Sequence, residues 1–133
     1  MSAKFEPIKV TNLLSEKTKQ SPTASGLRLI HWQLSNSPSR EWIQLFENQR
    51  QIPAGRNMLG GREAIVRGNY IVVDCAPEEI EKQHEYLLHD VAVANAGYQQ
   101  YLNKVQANAE REAAARKNEL ENIEGIKSRL KFD

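Results

Sequence analysis

Ala64-Ile65-Val66-Arg67-Gly68-Asn69-Tyr70-Ile71-Val72-Val73-Asp74-Cys75 is the stretch on which the fold turns. Two runs rich in β-branched residues flank Gly68-Asn69, a pair able to take the positive φ values that two-residue hairpin turns demand. The stretch reads as a β-hairpin. Directly after it, Pro77 suits the first position of a helix, and Glu78, Glu79 and Glu81 put carboxylates where a starting helix has unsatisfied N–H groups. A hairpin therefore feeds a helix.

Downstream of Pro77 no residue forces that helix to stop, although Gly97 and Gly125 each cost about 1 kcal/mol relative to alanine. Continuous from Glu78 to Lys131, it would span about 80 Å at 1.5 Å per residue, more than a small head can cover. Ile80, Leu87, Val91, Ala94, Tyr98, Tyr101 and Val105 recur at spacings of three and four, which marks a docked face. Large apolar residues then vanish from Gln106 to Glu119, where Glu112-Ala113-Ala114-Ala115-Arg116-Lys117 has the composition of a helical spacer. A second stripe, Leu120, Ile123, Ile126 or Lys127, and Leu130, follows, shifted by four residues from the first heptad frame as in a coiled-coil stutter. It needs a covering surface.

Upstream of the hairpin, Ile8 to Leu13 alternates like a half-buried strand, the polar stretch Ser15 to Ser25 reads as a loop, and Leu27 to Leu34 reads as a central strand. Residues 37–50 read as a helix, with Ser37 as N-cap, Pro38 at the first position, and Trp42, Ile43, Phe46 and the stem of Arg50 at helical spacing. The helix must end before Pro53. The element order ββαββα resembles the split βαβ unit of ferredoxin-like folds without its final strand, the strand at 8–13 taking that place at the sheet edge. The expected class is α+β: a small, mostly antiparallel sheet with a long C-terminal helix extending beyond the head. Residues 1–105 form the head with the docked half of the helix, and residues 106–133 form a coiled-coil-like arm.

Composition narrows the class further. In 133 residues, 40% are hydrophobic, 26% are charged and only 12 are Gly or Pro, which excludes collagen-like, disulfide-scaffold and wholly disordered chains. No apolar run approaches the roughly 18 residues of a membrane span, Met1 to Pro7 has no signal-like stretch, and a cytoplasmic location is expected. The net charge of +1 divides unevenly: residues 1–76 carry +4 and residues 77–133 carry −3. A head of +4 falls short of the basic stripe that nucleic-acid binders carry.

Catalytic signals are poor. His84 and His89 lie five apart, about 140° around a helix, so they are not a metal pair; His84 falls in the docked stripe and His89 on a solvated face. Cys75, the single cysteine, sits just before a helix N-terminus whose dipole lowers a thiol pKa, but three glutamates beside it oppose that. No Gly-x-Ser-x-Gly, His-Glu-x-x-His or phosphate-loop motif is present. No catalytic residue, cofactor or metal is expected.

Two surfaces point to a partner instead. If Ile30, Trp32, Leu34, Ile65, Ile71, Val73 and Cys75 face the helices, then Leu29, His31, Val66, Tyr70 and Val72 make an apolar outer sheet face needing cover from another subunit, another protein or the chain itself. Next to it, Gly55 to Arg62 holds three glycines with Arg56 and Arg62. Together with Leu120, Ile123 and Leu130 of the arm, these residues are the expected partner-binding set. The expected function is a non-catalytic interaction module or small subunit that binds a protein or copies of itself. The alternative is a nucleic-acid accessory protein using Arg56 and Arg62, with Tyr70 and His31 stacking on bases.

Overall fold

A computed structural model of the chain describes residues 5–51 and 62–132. The elements run β1 (Val10–Leu13), a 3-10 turn (Ser15–Lys17), β2 (Lys19–Gln20), β3 (Arg28–Leu34), α1 (Arg40–Gln51), β4 (Ala64–Arg67), β5 (Tyr70–Cys75), a 3-10 turn (Pro77–Glu79) and α2 (Ile80–Lys127). The sheet order is β1-β3-β5-β4, with β2 also paired to β3 and every pairing antiparallel. Strands β3 and β4 thus run in the same direction with β5 between them, as the split βαβ reading requires, and β1 takes the edge beyond β3. The class is α+β, a small antiparallel sheet with a long C-terminal helix.

The hairpin forms as read: Arg67 pairs with Tyr70 around Gly68-Asn69. Among the described residues Gly68 alone takes a positive φ, +59°, which a residue with a side chain would resist. Helix α2 runs unbroken through Gly97 and Gly125. At Gly97 a Cβ would meet Leu45 Cδ1 on α1 at 3.4 Å, close to ordinary van der Waals contact. At the start of α2, the Glu79 carboxylate accepts the Ala76 N–H at 2.8 Å, one of the groups a new helix leaves open.

Phe5–Tyr98 forms one unit, and the chain from Gln99 onward belongs to the other. The core of the first joins Trp32, Leu34, Ile71 and Val73 of the sheet to Trp42 and Phe46 of α1 and Leu87, Val91 and Ala94 of α2. Both tryptophans pack there as expected. Each also satisfies its indole N–H, Trp32 on His84 Nδ1 at 3.1 Å and Trp42 on Asn95 Oδ1 at 2.9 Å. From residue 107 to 132, the second unit is exposed throughout.

Several expectations are corrected. Helix α1 begins at Arg40, not at 37, because Ser39 Oγ caps the Trp42 N–H at 3.2 Å. Strand β1 begins at Val10, because Ile8 is held by a helix side chain: its N–H donates to Asn95 Oδ1 and its C=O accepts from Asn95 Nδ2, both at 2.9 Å. The polar stretch 15–25 is not a plain loop, since Lys19 and Gln20 pair with Leu29 and Arg28. On β4 the two faces are reversed: Val66 packs against the core, whereas Ile65 is 38% exposed on the outer face. The register explains this, since Ile65 stands opposite Val72 and Val66 opposite Ile71.

Candidate functional site

Strand alternation and register build the outer face of the sheet in three rows across β4, β5 and β3. Glu63, Asp74 and Leu29 form the first, Ile65, Val72 and His31 the second, and Arg67, Tyr70 and Gln33 the third. The middle row is apolar apart from His31. Carboxylates stand at one end and a guanidinium at the other.

The chain itself covers part of this face. Leu14 and Val72 are both 9% exposed and lie outside the main core cluster, on either side of His31. The Lys17 ammonium sits 5.0 Å above the Tyr70 ring, and Tyr70 meets His31 edge-to-face at 6.5 Å. Ser21 and Thr23 hydroxyls donate to Asp74 Oδ2 at 2.8 and 3.0 Å, tying residues 21–23 to the end of β5. What remains is a hollow of about 240 Å³ lined by Leu29, Ile65, Val72, Glu63, Asp74 and Arg67 with Pro22 and Thr23. Of the expected outer-face set, Leu29, His31, Tyr70 and Val72 come together here. Val66 does not; Ile65 takes its place.

Burial holds the His31 pKa below its ordinary 6.5, and Lys17 and Lys19 lower it further while an interaction with the Leu29 backbone opposes them. The unfolded chain then takes up the proton more readily than the folded one. The resulting stability is complete above pH 6.5 and is lost as the pH falls from there through the folded pKa. Melting temperature should therefore drop on acidification from pH 7.5 to 5, and His31→Gln should flatten the drop. An identical profile in that variant would place the titrating group elsewhere.

The other expected basic residues divide. Arg56 lies outside the described residues. Arg62 is engaged with Glu79, its Nε and Nη2 donating to the two carboxylate oxygens at 3.2 and 3.0 Å. That fork belongs to a buried polar network the sequence reading did not find. Arg50 Nη1 donates to Asp90 Oδ2 at 3.2 Å, and Arg50 Nη2 donates to Gln83 Oε1 at 2.8 Å and to the Arg62 C=O at 2.7 Å. Asp90 and Gln83 are fully buried. The signal was available: Ile80, Gln83, Leu87, Asp90 and Ala94 follow the docked spacing, so two polar residues on a buried stripe required a buried partner.

Cys75 is fully buried, and its thiol is pushed up to about 11, by burial first and the Glu79 carboxylate second. It is a protonated apolar filler at neutral pH. Among the described residues, no three His, Cys, Asp or Glu side chains gather where they could hold a metal ion, and no helix is long and apolar enough to cross a membrane.

On the second unit, Leu120, Ile123, Ile126 and Leu130 are 41–57% exposed, and Phe132 is exposed beyond them. Helical winding continues to Leu130 through hydrogen bonds from Ser128 to Glu124, Arg129 to Ile126 and Leu130 to Lys127. In comparisons with known proteins, no family model, no curated protein and no solved structure matches this chain.

Proposed function

We propose that the chain is a non-catalytic protein–protein interaction module or small subunit of a larger cytoplasmic assembly. It associates with copies of itself or with a protein partner through the arm at residues 106–133 and the outer sheet face. The observation that carries this reading is the helical stripe Leu120, Ile123, Ile126 and Leu130, each at least 41% exposed. Four large apolar side chains within eleven residues of an otherwise polar, exposed segment form a seam for another helix. Glu121, Glu124, Lys127 and Arg129 stand between them.

The test is the assembly state. Leu120→Asp/Ile123→Asp should lower the mass measured by light scattering while the thermal transition of Phe5–Tyr98 stays in place, because none of its core residues lies beyond Tyr98. A monomer in both proteins would leave only a foreign partner for the arm.

A further inference from the structure

The two edges of the sheet are treated differently. On the β1 side the register shifts between Val10 and Asn12, and the outward Leu13 N–H is already capped by its neighbour's Asn12 Oδ1 at 2.9 Å. A bulge and a side-chain cap are the devices that keep an edge from pairing. Strand β4, at the opposite edge, has neither. The bond from Asp74 N–H to the Glu63 C=O, with the Ile65–Val72 and Arg67–Tyr70 pairs, fixes the backbone parity. Residues 63, 65 and 67 turn their N–H and C=O groups toward β5, so those of Ala64 and Val66 point out of the sheet. Among the described residues nothing reaches those outward groups.

We propose that β4 pairs with β4 of a second copy, antiparallel about a two-fold axis at Ile65, joining the two sheets into one. The occupant and the register follow from backbone parity and charge. Only Ala64 and Val66 offer outward hydrogen bonds, so the register that uses them all sets Ala64 against Val66 of the second copy, twice over. That register puts Ile65 opposite Ile65 and Glu63 opposite Arg67, again twice. Glu63, Ile65 and Arg67 are all exposed on one face. The same strand thus carries both halves of an ion pair at the spacing a two-fold axis requires, flanking its one exposed apolar residue. A foreign strand would need an acid and a base placed at the same separation. The inference rests on the interaction-module reading and names one partner for it, at a surface separate from the arm.

The experiment uses the full chain in sedimentation velocity over a concentration series, with the arm intact and with Leu120→Asp/Ile123→Asp. Glu63→Arg and Arg67→Glu should each weaken dimerisation about tenfold, since each puts like charges opposite at both symmetric pairs. An equimolar mixture of the two variants should recover a dimer, which loss of folding in either one could not give. Ile65→Cys should form a disulfide-linked dimer under mild oxidation, because directly opposed residues of a non-hydrogen-bonded pair lie about 4.5 Å apart at Cα. Buried Cys75 does not compete, and Thr11→Cys on the β1 edge should form no disulfide-linked dimer.

An oligomer that responds only to Leu120→Asp/Ile123→Asp, with no recovery on mixing, would overturn β4 pairing and leave the arm reading standing. A wild-type monomer at every concentration, with Ile65→Cys cross-linking no faster than Thr11→Cys, would overturn β4 pairing whether or not a foreign strand binds there. That wild-type monomer would also exclude self-association through the arm.

Discussion

Trp42→Ala should cost about 3–5 kcal/mol of folding stability, the range for truncating a fully buried tryptophan. Trp42 is 0% exposed and lies parallel to Phe46, with ring centroids 5.5 Å apart and 7° between the planes. Its indole N–H donates to Asn95 Oδ1, the same oxygen that accepts the Ile8 N–H. Truncation therefore opens a cavity between α1 and α2 and weakens the side chain that anchors the approach to β1. Against a typical total of about 5–15 kcal/mol, that is a large share. The measurement is a urea titration with the midpoint and slope fitted separately. A loss under 1 kcal/mol would mean that Trp42 does not hold the core. Trp42→Phe separates the two contributions, since it keeps most of the apolar volume and removes only the donor to Asn95.

The hairpin, the order of strands and the long helix were legible because each has a local signature: Gly68-Asn69 between β-branched runs, Pro77 before three glutamates, and a stripe at spacings of three and four. The faces of β4 were also legible and were misread. In a hairpin closed by Arg67 and Tyr70, paired numbers have a constant sum, which sets Ile65 against Val72 and not against Ile71. Ser37 before Pro38 carries the N-cap signature of α1, and only the hydrogen bond from the Trp42 N–H to Ser39 Oγ shows that the cap lies further on. The role of Asn95 is different in kind. An asparagine on the exposed-looking side of an apolar stripe carries no local sign that it will hold the main chain of Ile8, 87 residues away. Polarity alone makes residues 15–25 a loop, yet two of their hydroxyls serve Asp74 and Lys19 and Gln20 extend the sheet. Long-range side-chain to main-chain bonds of this sort have no period, so no pattern in the chain announces them.

Asp90→Ala should be as damaging as the loss of Trp42, for an opposite reason. The Arg50 and Asp90 side chains are 4% and 0% exposed, so removing the carboxylate takes away the acceptor 3.2 Å from a buried guanidinium, at a typical cost of about 3–5 kcal/mol. Replacing both partners, Arg50→Met/Asp90→Leu, removes the charge together with its counter-charge and should be the milder change, since a buried ion pair and a well-packed apolar pair are often close in free energy. Denaturant titrations on the two single variants and the double close the cycle. A double variant as unstable as the sum of the singles would show that Arg50 acts through Gln83 and the Arg62 carbonyl more than through Asp90. Those two bonds give the network a positional role as well. The Arg50 guanidinium links α1 to α2 and to the main chain of Arg62, two residues before β4 begins. Without Asp90 to hold it, the entry to β4 should loosen first. Amide exchange at Ala64 to Arg67 should then accelerate more than at Ile30 to Trp32, at the centre of the sheet; equal acceleration of both would mean that the network supports the whole unit uniformly and not the edge strand in particular.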